Sequence, residues 1–123
     1  SAGKGLIPDT DVEIKLAFRY DFIKRYGDPH KMSLIRVEGD SMEPTFYSGD
    51  IVLVDHQRNY VAPQGGIYAI TFDDLIMVKR LQVNPDRTIK IISDNPRYEP
   101  AIVKPEDITI NGKVIWFSRV IEK

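Results

Sequence analysis

One turn decides how the chain is organised: residues 39–46 read Gly39-Asp40-Ser41-Met42-Glu43-Pro44-Thr45-Phe46. An apolar run over residues 34–37 leads into this turn, and a second apolar run over residues 51–54 follows it. Glycine and proline let the backbone bend sharply, which places the Ser41 hydroxyl at the end of a strand. Ser41 is therefore the candidate nucleophile, although a serine in such a turn is more often only a turn former.

A serine hydroxyl needs a neighbouring base to take its proton, and Lys79 is the best candidate for that base. Residues 75–81 alternate as in a strand, so that Leu75, Met77, Lys79 and Leu81 share one face. Burial on such an apolar row lowers the pKa of a lysine and populates its neutral amine. The alternative is a lysine at a strand edge whose ammonium group extends into water.

Other polar residues offer weaker alternatives for the same chemistry. His30 and His56 lie in polar stretches, and neither has a recognisable acid-histidine-serine context in the sequence. Asp40 and Glu43 flank Ser41 and allow a pair of carboxylates for acid-base work. Acidic side chains beside turns more often accept hydrogen bonds from backbone N–H groups. We therefore favour serine and lysine as the reacting pair, and predict neither a metal nor a cofactor.

Composition sets limits on the class of protein. The chain has 123 residues, of which 42% are hydrophobic, which predicts one domain with a real core. Its net charge of −1 gives no electrostatic case for binding DNA by itself. It has no cysteine, which is consistent with a reducing cytoplasm, and no run of about 18 apolar residues that predicts a membrane span.

The periodicities predict an all-β domain with one short helix. Apolar residues at helical spacing over residues 17–26 indicate the helix, and alternation over residues 12–16 is typical of a strand. Residues 67–81 predict a hairpin whose turn is Asp73-Asp74. Asn111-Gly112 is a strong signal for a second hairpin, followed by a closing strand to residue 121.

Four blocks in this order resemble the LexA-like serine peptidases. They cover residues 37–45, 48–54, 78–81 and 93–98, and they contain Gly-Asp-Ser-Met, Ser-Gly-Asp, Val-Lys-Arg and Ser-Asp-Asn-Pro in turn. That family includes the repressor LexA, the phage CI-type repressors and the UmuD-like mutagenesis proteins, and it shares a fold with signal peptidases. The resemblance covers residues 34–120, which is most of the chain.

The resemblance implies a coiled β-sheet fold and a role for each matching residue. Ser41 stands where the family has its nucleophile, and Lys79 stands where it has its general base. The backbone N–H groups of Ser41 and Met42 stand where the family stabilises the oxyanion. The family cuts its own linker at an Ala-Gly bond, and Ala2-Gly3 stands about where that bond is expected.

We accordingly expect residues 1–15 to form a linker with the cleavage site, and residues 16–123 a catalytic and dimerisation domain. The chain begins with Ser1 and not with methionine, which predicts a fragment, a processed product or an engineered chain. Ser1-Ala2 is then either native or a remnant of cloning.

The resemblance also implies partners: a second copy in a homodimer, a RecA filament on single-stranded DNA, and operator DNA bound only through an N-terminal helix-turn-helix domain that this sequence lacks. No membrane is expected, and cleavage in response to DNA damage would occur in the cytoplasm. Two alternatives stay open, namely a UmuD-like polymerase accessory protein and a dimerisation module of a regulator that no longer cleaves. The C-terminal strand is the predicted dimer contact.

Overall fold

Residues 16–122 are described by a computed structural model, and they form one antiparallel sheet with a single short helix. The elements are α1 (Tyr20–Ile23), β1 (Met32–Arg36), β2 (Ile51–Asp55), β3 (Gly66–Phe72), β4 (Leu75–Val83), β5 (Ile89–Ile92), β6 (Ala101–Val103) and β7 (Thr109–Ser118). Short 3₁₀ turns at Pro29–Lys31 and Pro105–Asp107 lead into β1 and β7. The fold class predicted from the sequence is thus confirmed.

The seven strands lie in the order β1-β2-β7-β3-β4-β5-β6, and each neighbouring pair is antiparallel. The long strand β7 occupies the middle of the order although it is last in the chain, because it lies between β2 and β3. The predicted hairpin of β3 and β4 is confirmed. Its turn residues Asp73 and Asp74 have φ values of 52° and 65°, the left-handed pair that a tight hairpin turn requires.

Both faces of the sheet carry buried apolar side chains. One cluster contains Ala69 and Val78, together with Met42 and Phe46 from the turn that follows β1. The other contains Tyr68, Ile70, Leu81, Ile89, Ile91 and Ile108. Because side chains alternate along a strand, consecutive residues of β3 enter different clusters. The sheet is therefore covered on both sides near β3 and β4, and the turn with Ser41 is part of that cover.

The predicted hairpin at Asn111-Gly112 is wrong, because β7 runs straight through these two residues. Instead, the pairing of β7 with β3 shifts by one residue there, between Ala69 and Ile70. A Cβ atom on Gly112 would lie 2.5 Å from the Asp55 carbonyl oxygen, and the Asn111 amide donates to Thr71 Oγ1 at 3.0 Å. The glycine therefore permits a close approach of β2 at a β-bulge and does not mark a turn.

The N-terminal part of the described chain packs on β7. The helix predicted over residues 17–26 is present but shorter, with α-helical geometry only at Tyr20–Ile23. Ile23 is buried, and the Phe18 ring meets the Trp116 ring edge-on at a centroid distance of 4.8 Å. Of the strand predicted over residues 12–16, only Leu16 is described, and it lies outside any strand. No helix within residues 16–122 is long and apolar enough to cross a membrane.

Replacing Gly112 with alanine tests the close approach of β2 and β7. The added Cβ would meet backbone atoms of Asp55, which cannot move without disturbing the ladder. We expect Gly112→Ala to lower the free energy of unfolding by roughly 2 to 4 kcal/mol in urea titrations. Thr109→Ala, at an exposed position of the same strand, is the control and should change it by less than about 1 kcal/mol. A loss no larger than that of Thr109→Ala would contradict the close approach of Gly112 to the Asp55 backbone.

Candidate active site

The Ser41 turn forms the tip of a loop that is closed at its base. The Val37 N–H donates to the Asp50 carbonyl and the Gly49 N–H donates to the Val37 carbonyl, both at 2.8 Å. Gly39 has a φ of +80°, a conformation that glycine adopts at little cost, so the chain leaves β1 sharply there. Met42 and Phe46 are buried in the cluster below. The serine is thus carried by a loop whose apolar side chains fix it to the sheet.

A buried carboxylate holds the far side of this loop. Asp50 is 2% exposed and pairs with the Arg119 guanidinium through Nε–Oδ1 and Nη2–Oδ2 contacts of 2.9 and 2.8 Å. Asp50 also accepts from the Tyr47 N–H at 2.8 Å, and the Arg119 guanidinium stacks on the Tyr47 ring. Such two-pronged pairing fixes orientation as well as distance. The loop is therefore anchored to the chain that follows β7.

Lys79 and Ser41 are brought together, as the sequence analysis predicted. The Lys79 Nζ atom lies 3.0 Å from Ser41 Oγ, within hydrogen-bond distance. Lys79 is in β4 and half-buried, opposite Tyr68 of β3, whose side chain is fully buried. Desolvation by this burial lowers the pKa of Lys79 below its ordinary value of 10.5. The neutral form, which can accept a proton, is thereby more populated than in an ordinary lysine.

A second serine, which the sequence analysis assigned no role, completes the surroundings of the amine. Ser93 Oγ lies 2.7 Å from Lys79 Nζ. In the pairing of β4 with β5, Arg80 faces Ile92, so the next position of the same register places Ser93 opposite Lys79. A neutral lysine has one lone pair for Ser41 and keeps N–H donors for Ser93. The strand register is the signal from which this residue could have been found.

The loop after β5 clamps the Ser41 turn. The Asn95 N–H donates to the Ser41 carbonyl at 3.0 Å, and its side-chain amide donates to the Asp40 carbonyl at 2.9 Å. The Asp94 carboxylate accepts hydrogen bonds from Arg80 Nε and Nη2, both at 2.8 Å, and from the Thr45 hydroxyl at 2.6 Å. These contacts join β4, the turn and the loop into one unit, a role for Asp94 that the sequence alone did not reveal.

The other candidate side chains are placed elsewhere or bonded differently. His56 Nδ1–H donates to the Asn111 carbonyl and its Nε2 accepts from Ser33 Oγ at 2.6 Å, so this histidine does face a serine, but not Ser41. His30 is exposed on the 3₁₀ turn before β1. Asp40 accepts a hydrogen bond from the Tyr98 hydroxyl and not from a backbone N–H. A histidine base and a pair of acid-base carboxylates thus find no support in the geometry.

A groove of about 270 Å³ opens beside Ser41. Its walls expose more polar than apolar surface, and the residues that line it are Ile35, Arg36, Val37, Glu38, Ser41, Met42, Ile76, Met77 and Val78. Within residues 16–122, the N–H groups of Ser41 and Met42 have no hydrogen-bond partner. They are consequently free to bind an oxygen that carries negative charge.

Comparison with known proteins identifies the family of this chain. Residues 1–115 match the Peptidase S24-like family. The chain belongs to the Peptidase S24-like family. It is 30% identical to the LexA repressor of Thermosipho africanus over 98% of this chain and 58% of that protein. It is 34% identical to the repressor protein CI of Enterobacteria phage phi80, over 96% of this chain and 51% of that protein.

A third relative within the same range is the HTH-type transcriptional regulator PrtR of Pseudomonas aeruginosa, which is 30% identical over 98% of this chain and 50% of that protein. The chain therefore spans about half the length of the curated relatives it matches. Membership of the Peptidase S24-like family confirms the resemblance inferred from the four sequence blocks. The Ser41 turn therefore belongs to a chain of a peptidase family.

Removing the Asp94 carboxylate tests whether the clamp stabilises the fold. Hydrogen bonds from Arg80 hold the pKa of Asp94 below its ordinary value of 3.8, against a smaller opposing effect of burial. The stability that the ionised group contributes is thus present above pH 3.8 and is lost as the pH falls through the folded-state pKa. We expect Asp94→Asn to cost about 1 to 3 kcal/mol of unfolding free energy at pH 7 and progressively less in acid.

Urea titrations at several pH values between 7 and 2.5 measure this difference. Asp107→Asn, at an exposed position next to β7, is the matched control and should behave as the unmodified chain at each pH. A loss of stability by Asp94→Asn that stays constant as the pH falls would contradict an ionised clamp.

Proposed function

We propose that this chain is the self-cleaving serine peptidase and dimerisation region of a LexA-type or phage CI-type transcriptional repressor. The observation that carries the proposal is the 3.0 Å contact between Lys79 Nζ and Ser41 Oγ beside an open groove. Membership of the Peptidase S24-like family and similarity to repressors support it. In this reading Ser41 is the nucleophile and Lys79 the general base, one of the variants of the serine triad.

The reaction would proceed by acyl transfer at the Ala2-Gly3 bond. Neutral Lys79 takes the proton of the Ser41 hydroxyl while Ser41 Oγ attacks the Ala2 carbonyl carbon. The backbone N–H groups of Ser41 and Met42 stabilise the negative charge that forms on the Ala2 oxygen. Collapse breaks the C–N bond, and the protonated Lys79 gives its proton to the departing Gly3 amine. Lys79 then takes a proton from water, whose oxygen attacks the ester and releases the Ala2 carboxylate and the Ser41 hydroxyl.

Ser93 would keep the Lys79 amine in place through these steps. Its oxygen lies 2.7 Å from Nζ, closer than the Ser41 oxygen at 3.0 Å. An acceptor fixed there restricts rotation of the amine and leaves its lone pair for the nucleophile. We assign Ser93 the role of a positioning residue.

The division of the chain follows from this mechanism. Residues 1–15, which contain Ala2-Gly3, lie outside the described residues, and we propose that they are the cleaved linker. Residues 16–123 would then be the catalytic and dimerisation domain, with the C-terminal strand as the contact in a homodimer. Operator DNA would be bound by a helix-turn-helix domain upstream, because a net charge of −1 gives this region little attraction for phosphate.

Cleavage would then control transcription in the cytoplasm. A RecA filament formed on single-stranded DNA after damage would favour the arrangement in which the linker enters the groove. Cutting separates DNA binding from dimerisation, and each half-site then loses the effective concentration that its tethered partner provided. The relatives described above are transcriptional regulators, which favours a repressor over a UmuD-like polymerase accessory protein.

Substitution of the two reacting groups tests the mechanism. We expect Ser41→Ala and Lys79→Ala each to reduce self-cleavage of the linker-containing protein at least about 10³-fold, because neither group has a substitute in the groove. Lys79→Arg keeps the positive charge but cannot lose a proton, so it should be equally inactive. Incubation at alkaline pH or with RecA filament, followed by gel electrophoresis, measures the rates.

Ser118→Ala and Lys90→Ala are matched controls, since they remove a serine of β7 and a lysine of β5, the strand next to β4. Both should cleave at the rate of the unmodified protein. Cleavage at an equal rate in all variants would refute the mechanism, and absence of cleavage even in the unmodified protein would favour a dimerisation module that no longer cleaves.

The pH dependence of self-cleavage provides a further test. Only the neutral amine of Lys79 accepts a proton, and burial lowers its pKa from 10.5. The rate should therefore rise about tenfold per pH unit at neutral pH and level off at a pKa below 10.5. Cleavage rates between pH 6 and 11 measure this profile. A rate independent of pH over that range would exclude lysine as the base.

A further inference from the structure

Tyr98 is in contact with both halves of the reacting pair. Its hydroxyl donates a hydrogen bond to Asp40 Oδ1, and Asp40 immediately precedes Ser41 in the turn. The centroid of its ring lies 6.0 Å from Lys79 Nζ. One side chain thus bridges the turn that carries the nucleophile and the amine that would activate it.

We propose that Tyr98 is a positioning residue of the Ser41–Lys79 pair, with its hydroxyl fixing the turn through Asp40 and its ring shielding the Lys79 amine from water. This inference rests on the proposed peptidase function and adds a residue to it. A ring centroid 6.0 Å from Nζ lies at the outer limit of a cation–π contact, so the ring attracts the ammonium form of Lys79 only weakly. The main effect of the ring on the amine is therefore to exclude water.

The two ends of Tyr98 act on different properties of the site. The hydroxyl bond joins the loop after β5 to the turn, in parallel with the bonds of Asn95 to the carbonyls of Asp40 and Ser41. It therefore affects the distance and angle between Oγ and Nζ. The ring covers a half-buried lysine whose lowered pKa is caused by desolvation. It therefore affects how much of the amine is neutral.

The ionisation of Tyr98 itself does not interfere near neutral pH. The charged groups that face its hydroxyl are Asp40, Glu43 and Arg97, and the hydrogen bond to Asp40 is the main cause that raises the pKa of Tyr98 above 10.0. The phenol thus stays protonated, and able to donate, at neutral pH.

Two substitutions separate the hydroxyl from the ring. Tyr98→Phe keeps the ring and should slow self-cleavage about three- to tenfold without moving the titration of Lys79. Tyr98→Leu also removes the ring and should raise the pKa of Lys79 by roughly half a unit to one unit. Nuclear magnetic resonance of the Lys79 Cε and Nζ atoms, with the carbon and nitrogen isotopically labelled, measures that titration without requiring any cleavage.

A double-mutant cycle tests whether the hydroxyl acts through Asp40. Tyr98→Phe combined with Asp40→Ala should slow cleavage no more than Asp40→Ala alone, because both remove one hydrogen bond. Tyr60→Phe removes the hydroxyl of an exposed tyrosine that has no hydrogen bond within the described residues, and it should cleave at the unmodified rate.

The proposal is overturned if Tyr98→Leu leaves the titration of Lys79 unchanged, or if the effects of Tyr98→Phe and Asp40→Ala multiply. Its failure is distinguishable from failure of the proposed function. A protein in which Ser41→Ala still cleaves refutes the peptidase mechanism, whereas the Lys79 titration reports the shielding by Tyr98 in either case.

Discussion

The ionic hydrogen bonds of Asp94 are the interaction on which the arrangement of the site depends. A single carboxylate binds Arg80 of β4 and Thr45 of the turn, and it sits next to Ser93 and Asn95 in the loop after β5. Each of these three segments carries part of the site, and none is adjacent to the others in sequence. The 3.0 Å separation of Ser41 and Lys79 is thus maintained by a charged pair that takes no part in the proposed reaction.

The alternation of side chains along β4 keeps this charged pair away from the amine. Arg80 and Lys79 are consecutive, so their side chains leave the strand on opposite faces. Arg80 takes the carboxylate of Asp94, whereas Lys79 meets the uncharged hydroxyls of Ser41 and Ser93. A carboxylate at the position of Ser93 would stabilise the ammonium form and raise the pKa of Lys79. Register and alternation thereby allow an ion pair and a lysine of lowered pKa to lie one residue apart.

The sequence predicted the parts of this structure that follow from local chemistry. A serine between glycine and proline, a lysine on an apolar strand row and the Asp73-Asp74 turn are each readable within a few residues. Ser93 and Tyr98 are not, because their roles depend on which strand faces β4 and where the loop after β5 returns. The prediction at Asn111-Gly112 was wrong for a related reason. A glycine that lets β2 lie close to β7 at a β-bulge produces the same local sequence as a hairpin turn.

The open side of the site has a consequence for how such a peptidase would be switched. Lys79 is only half-buried, so water limits how far the pKa of the amine falls. A chain segment that reaches Ser41 Oγ, which lies 3.0 Å from Nζ, would displace water from that side of the amine. Under the proposed function, docking of the linker therefore both brings the scissile bond to Ser41 and increases the neutral fraction of its base. A partner that stabilises the docked arrangement needs to contribute no catalytic group, since the energy of docking already acts on the base and on the position of the nucleophile.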